Sequence, residues 1–204
     1  MTVALIDDDT AVLHSLRLLI ESRGIAVSCY ETAELFLDDI ADRQPSCVVA
    51  DVRMPGMTGL ELQRELKYRK DDSPLILISG HADVAMAVAA IKDGAFDFFE
   101  KPFDGERLAA SVAEAVQKGR RQHSDHNERL EIAERLRMLS PRQREVLDLV
   151  AAGMSNKKIA IRLGISPRTV ETYRAWVMER MGAQNVADLV RKVSTIEPVG
   201  PGRG

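Results

Sequence analysis

Val3-Ala4-Leu5-Ile6-Asp7-Asp8-Asp9 joins a short apolar run directly to three carboxylates. Four more short runs rich in β-branched or aromatic residues follow, at residues 27–30, 47–50, 75–78 and 96–99. Such runs read as strands. Between the first two, Val12, Leu13, Leu16, Leu19 and Ile20 keep a helical spacing, and residues 33–40, 60–66, 84–91 and 108–116 read as helices too. Strands alternating with helices imply right-handed crossovers and a parallel sheet covered on both faces. The expected fold is therefore α/β: a doubly wound, flavodoxin-like five-stranded parallel sheet of order 2-1-3-4-5. Its ligand site lies beyond the carboxyl ends of strands 1 and 3.

The polar residues of this half gather at those ends. Asp7, Asp8 and Asp9 end the first strand, Asp51 the third, Ser79 the fourth and Lys101 the fifth. A single aspartate there reads as a helix cap, and Asp9 is assigned to that role. Four strand ends carrying aspartates, a hydroxyl and a lysine need another explanation. Converging carboxylates repel one another, so a cation is expected to offset the cost, and oxygen donors suit Mg²⁺.

The runs Ile6-Asp7-Asp8-Asp9, Asp51-Val52-Arg53-Met54-Pro55-Gly56-Met57-Thr58-Gly59 and Glu100-Lys101-Pro102-Phe103 resemble the receiver domains of two-component response regulators. The resemblance covers residues 1–118. It implies that Asp51 takes a phosphoryl group from a sensor histidine kinase. It implies further that Asp8, Asp51 and the carbonyl of Arg53 hold Mg²⁺, with Asp7 acting through water, and that Lys101 pairs with the phosphoryl oxygens. Ser79 and Phe98 would be the hydroxyl and the aromatic that move on phosphorylation. A cis peptide before Pro102 is part of the same pattern. Each position has a plainer reading: Phe98 as core between Phe96 and Phe99, Pro102 as a turn, residues 79–83 as a loop and cap. His81 has no second histidine near it and is not expected to bind metal.

Residues 140–196 lack strand alternation. Ser140-Pro141 opens a helix with Val146, Leu149 and Val150 as its stripe, and Gly153 stops it. Ser155 opens a second helix with Ile159, Ala160 and Leu163 inward. Gly164-Ile165-Ser166 turns the chain, and Pro167 opens a third with Val170, Val177 and Met181 on one face. Helix, glycine turn and helix form the DNA-binding arrangement. Lys157, Lys158, Arg162, Arg168 and Arg174 around the turn argue against a purely structural bundle.

The runs Leu139–Leu147, Ser155–Ala160 and Ser166–Arg174 resemble the LuxR-type output domain. With a receiver in front, the chain resembles the NarL/FixJ family, in its FixJ branch. That resemblance implies Arg168, Glu171, Thr172 and Ala175 facing bases, with Lys157, Lys158, Thr169 and Arg174 on phosphates. Glu171 departs from the lysine of the NarL branch and is able to accept from a cytosine amino group. Ala82 and Ala85 depart from the Gly and Pro of FixJ-type receivers. Trp176 lies off the core stripe, with a DNA-backbone contact and packing on the fourth helix both open.

Three parts follow: receiver 1–118, output domain 139–196, and between them a linker, 119–138, that is partly helical. Leu130, Ala133, Leu136 and Leu139 keep helical spacing in the linker, and Glu131 stands four residues before Arg135. It reads either as a helical connector or as a tether. The Gly- and Pro-rich residues 197–204 read as a disordered tail.

Charge divides the same way: residues 1–117 carry 21 acidic against 11 basic side chains, residues 118–204 carry 10 against 17. The halves suit a cation and a polyanion respectively. The longest apolar stretch, residues 84–91, is too short to span a membrane, and the first residues carry no secretory signal, so a cytoplasmic address is expected. Cys29 and Cys47, each in an apolar run, are expected as small buried hydrophobes. The implied partners are a histidine kinase, double-stranded promoter DNA, RNA polymerase and, on phosphorylation, a second copy.

Two rival functions are an Mg-dependent aspartyl-phosphate phosphatase and a signalling scaffold that does not bind DNA. The first usually needs an acid–base aspartate two residues after its nucleophile, where this chain has Arg53. At most slow self-hydrolysis is expected, not enzymatic turnover.

Overall fold

The computed structural model describes residues 2–40, 44–81 and 84–196. The expectations for Ala82, Asp83 and the tail at 197–204 fall outside these residues. The chain divides into two compact units, Met1–Ser124 and Asp125–Gly204.

The first unit carries β1 (Thr2–Ile6), α1 (Thr10–Glu21), β2 (Ala26–Tyr30), α2 (Ala33–Asp39), β3 (Cys47–Asp51), α3 (Gly59–Tyr68), β4 (Leu75–Ser79), α4 (Val84–Lys92), β5 (Asp97–Glu100) and the start of α5 (Gly105–Arg137). The sheet has the order β2-β1-β3-β4-β5, with every pairing parallel. This is the doubly wound architecture expected from the strand pattern.

Residues alternate between two cores. Ala4, Ile6, Val48, Ala50 and Leu77 face Phe36 and Leu37 of α2, Leu62 and Leu66 of α3 and Ala90 of α4. Val3, Leu5, Val49, Ile76 and Phe99 face Leu13, Leu16 and Ile20 of α1 and Leu108, Val112 and Val116 of α5. Each large aliphatic side chain so buried contributes roughly 1.5–3 kcal/mol. The alternation separates the aromatics of β5: Phe98 is half-buried against the first core and Phe99 buried in the second.

Three local expectations are corrected. The fifth strand begins at Asp97, not Phe96. Cys29 is exposed while Cys47 is buried, because β2 forms an edge of the sheet. The helix starting near residue 108 does not end near 116 but runs as one element to Arg137, with Glu131 and Arg135 paired at 2.5 Å. Gly119 does not end it. A side chain there would overlap the carbonyl oxygen of Ser46, so the missing Cβ lets the helix lie against the start of β3.

The second unit packs the end of α5 with α6 (Pro141–Ala151), α7 (Asn156–Leu163), α8 (Pro167–Met181) and α9 (Val186–Ile196). Ser140, Ser155 and Ser166 cap α6, α7 and α8, and Ser140 closes a reciprocal box with Gln143. Gly164 ends α7 at φ 65°, a left-handed turn open to glycine at little cost. Val170, Val177 and Met181 of α8 and Ile159 and Ala160 of α7 are buried as expected. In α6 the buried stripe is Gln143, Val146, Leu147 and Val150, while Leu149 is only partly covered.

Candidate functional site

Strand register builds the first site. Ile6 stands beside Ala50, so Asp7 and Asp51 come next to each other where β1 and β3 finish. Asp51 pairs with Ile78 and Ser79 with Glu100, which brings Ser79 and Lys101 to the same end of the sheet. Asp7, Asp51 and Ser79 are buried.

Lys101 Nζ donates to Asp7 Oδ2 at 2.9 Å and to Asp51 Oδ1 at 2.6 Å. The other Asp51 oxygen accepts from the Arg53 N–H at 2.6 Å, and the other Asp7 oxygen from the Asp9 N–H at 2.9 Å. Two buried carboxylates thus share one ammonium. Burial raises the Asp7 carboxyl above its ordinary value, overcoming the Lys101 hydrogen bond, the Asp9 amide and the Lys101 charge, and the neighbouring Asp51 adds to the rise. Burial also works against the Lys101 charge, but its hydrogen bonds to Asp51 and Asp7 outweigh that and hold the ammonium above its ordinary value. The Lys101–Pro102 peptide is cis, as the motif implied.

Asp9 caps α1, accepting from Ala11 and Val12 at 2.8 and 3.3 Å. Asp8 is exposed beside the buried pair. Among the described residues no three His, Cys, Asp or Glu side chains converge closely enough to bind a metal by themselves. A cation here would combine carboxylates with the Arg53 carbonyl and water. That donor set is all hard oxygen and fits Mg²⁺, which retains part of its water. The raised Asp7 carboxyl reflects burial first and the nearby Asp51 charge last, and a cation beside the two carboxylates would favour their ionised forms. Ser79 Oγ accepts from the His81 N–H at 3.3 Å.

Burying the Asp7 carboxylate has a measurable cost. A folded-state pKa raised above the unfolded value means the carboxylate form opposes folding, and the cost disappears once Asp7 is protonated. Without divalent cation, Asp7→Asn is therefore expected to raise the unfolding free energy at neutral pH, while Lys101 keeps its bond to Asp51. The gain should shrink as the pH falls through the Asp7 titration. Chemical denaturation at several pH values checks this, and a variant less stable than the parent at pH 7 would contradict it.

The second unit carries the other candidates. Lys157, Lys158, Arg168, Glu171, Thr172 and Ala175 are exposed on α7 and α8. Two candidates are partly occupied by the protein itself. Arg174 donates to Asn156 Oδ1 at 2.9 Å, tying α8 to the start of α7, and Thr169 Oγ1 shares a hydrogen bond with Ser166 at 2.8 Å. The Asn156 contact bridges 18 positions and had no local signal. Thr172 Oγ1 donates back to the Arg168 carbonyl at 3.1 Å. Trp176 is half-exposed and stands edge-on to Tyr173, with 5.5 Å between ring centres.

Residues 3–113 match the family described as response regulator receiver domain, and residues 137–193 match bacterial regulatory proteins of the luxR family. The transcriptional regulatory protein FixJ of Azorhizobium caulinodans is 46% identical, over 94% of this chain and 90% of its own. The response regulator StyR superposes with a TM-score of 0.82 at 34% identity, covering 95% of this chain and 98% of that one. Full-length FixJ from B. japonicum superposes with a TM-score of 0.57 at 42% identity, covering 95% and 96%. A receiver sheet with acidic strand ends, followed by a LuxR-type helix-turn-helix and related to FixJ along nearly its whole length, belongs to the FixJ-like response regulators that regulate transcription.

Proposed function

We propose that Asp51 accepts a phosphoryl group from a sensor histidine kinase and that the phosphorylated chain dimerises on promoter DNA. The observation that carries this reading is the Lys101 ammonium bridging Asp7 and Asp51 at the strand ends. Phosphoryl transfer asks for an in-line nucleophile and charge neutralisation more than for acid–base groups. Asp51 supplies the nucleophilic carboxylate, and the P–N bond of the donor phosphohistidine breaks as the P–O bond to Asp51 forms. Lys101 then offsets the charge of the transferred oxygens.

Asp8, Asp51 and the Arg53 carbonyl would hold Mg²⁺, with Asp7 acting through water; the ion supplies further charge neutralisation at the phosphoryl oxygens. Arg53 stands where a phosphatase would have its acid–base aspartate, so the phosphate persists as a signal with only slow self-hydrolysis. An apolar cleft of about 310 Å³ lined by Val12, Leu16, Leu19, Lys101 and Phe103 adjoins the site and suits a docking kinase.

The switch runs through Ser79 and Phe98. A phosphoryl group on Asp51 draws the Ser79 hydroxyl toward it, and half-buried Phe98 turns into the space vacated. The surface altered is that of α4 and β5. Val84, Val88 and Ile91 lie along one side of α4, exposed by 81%, 46% and 45%, and they offer an apolar face to a second receiver. Pairing raises the effective concentration of the second DNA-binding unit at a two-fold symmetric site. RNA polymerase is the downstream partner of such a regulator, and the setting is cytoplasmic.

On DNA, Arg168, Glu171, Thr172 and Ala175 read bases, while Lys157, Lys158, Thr169 and Arg174 meet phosphates. The test separates the two classes. Glu171→Ala and Thr172→Ala should change the sequence selected from a random pool, a wrong base costing roughly 1–3 kcal/mol. Lys158→Ala should weaken binding to all sequences alike and lower the salt slope by about one. A change of preference in the Lys158 variant, with none in the other two, would reverse this orientation of α8.

A further inference from the structure

The loop joining β3 to α3 carries Arg53, whose carbonyl belongs to the proposed cation set, and it is tied to a residue outside the family motifs. Met54 is buried beneath the loop and Met57 packs partly against the same core. Regular backbone pairing brackets it: the Val52 N–H donates to the Ile78 carbonyl at 2.7 Å, and the Gly59 N–H to the Val52 carbonyl at 3.1 Å. Between those points the Met57 N–H donates across 23 positions to Glu34 Oε1 of α2 at 2.8 Å.

The same carboxylate covers Gly56, which sits at φ 74°; a Cβ built there would stand 2.7 Å from Glu34 Oε1. Glu34 also receives its own backbone N–H and the Thr32 hydroxyl, and with the Met57 bond these hold its carboxyl below the ordinary range. Its ionised form is thus satisfied on the side turned to the loop. A hydrogen bond to a charged acceptor is worth more than a neutral one, enough to choose between loop conformations.

We infer that Glu34 is a positioning residue for the cation pocket: by fixing the Gly56–Met57 backbone it holds the Arg53 carbonyl toward Asp51. The inference rests on the proposed Mg²⁺ site and deepens it. Glu34 touches neither the cation nor the phosphoryl group. Its removal should therefore alter how much Mg²⁺ the chain requires, and leave the rate at saturating Mg²⁺ nearly unchanged.

The test uses the full chain with Glu34→Ala and Glu34→Gln, the second keeping an acceptor for Met57. Two readouts are taken: Mg²⁺ affinity by calorimetry on unphosphorylated protein, and amide hydrogen exchange at Met57. Glu34→Ala should weaken Mg²⁺ binding about tenfold, the scale of one charged hydrogen bond, and speed Met57 exchange by a similar factor. Glu34→Gln should recover most of both. If Glu34→Ala binds Mg²⁺ as the parent does while Asp8→Asn loses binding, the cation site stands and the role of Glu34 is overturned. If the parent binds no Mg²⁺, the site itself fails. Unchanged Met57 exchange in Glu34→Ala overturns the positioning role in either case.

Discussion

Asp51→Asn is expected to take up no phosphoryl group from a small phosphodonor and Mg²⁺, whereas the parent chain gains one phosphoryl mass. The amide keeps the shape of the carboxylate and leaves β3 unstrained, but it is not an anionic nucleophile. Asp7, the other buried carboxylate at this end, receives both the Lys101 ammonium and the Asp9 amide. Asp8 is exposed and Asp9 is committed to capping α1. Asp8 and Asp9 have no hydrogen bond to Lys101, and Asp51 differs from Asp7 in ending the central strand β3, between β1 and the β4 strand that ends at Ser79. Asp8→Asn, by contrast, should slow uptake and raise the Mg²⁺ requirement without abolishing the reaction. Intact-mass spectrometry distinguishes these outcomes, and full labelling of Asp51→Asn would sink the assignment.

Lys101→Met is expected to lower stability sharply without divalent cation, and Mg²⁺ is expected to restore much of it. Removing the ammonium leaves Asp7 and Asp51 buried side by side with no cation between them. Breaking a fully buried pair costs roughly 3–5 kcal/mol. The Lys101 side chain is 27% exposed, so water reaches the pair, and about 2 kcal/mol is the discounted expectation. The folded-state pKa of Lys101 is raised, so its contribution is complete below its unfolded value and is lost only as the pH climbs through the folded one. The deficit should therefore be full at pH 7. Mg²⁺ at a hundredfold excess over its dissociation constant adds about 2.7 kcal/mol to whichever chain binds it. Denaturation midpoints of both chains, with and without Mg²⁺, give the comparison; a variant as stable as the parent in chelator would contradict the account.

The receiver was legible because its chemistry follows from register. Central strands of a parallel sheet are apolar throughout, so each polar residue at a run's end marks the same edge of the sheet. Asp7, Asp51, Ser79 and Lys101 are separated by up to 94 positions, yet all four fall on that edge. The helix-turn-helix was legible through its serine caps and Gly164, which announce helix ends locally. What escaped reading depends on distant neighbours. The helix read over residues 108–116 continues past Gly119, where the missing Cβ clears the Ser46 carbonyl, a contact invisible in the sequence. Leu147 outranks Leu149 because the other helices of the unit, not α6 alone, decide which face is covered. Cys29 is apolar in context but lies on an edge strand. Glu34 reads as an ordinary first-turn acid of α2, and its link to Met57 appears only in three dimensions.

Phosphoryl control of DNA binding is the central claim, and one titration addresses it most directly. A labelled duplex selected by the second unit is titrated with the full chain, with and without a small phosphodonor in Mg²⁺, and then with Asp51→Asn under both conditions. The account predicts that the donor tightens binding by the parent at least tenfold, roughly 1.4 kcal/mol, and has no effect on Asp51→Asn. Equal tightening of Asp51→Asn, or no response by the parent, would contradict it.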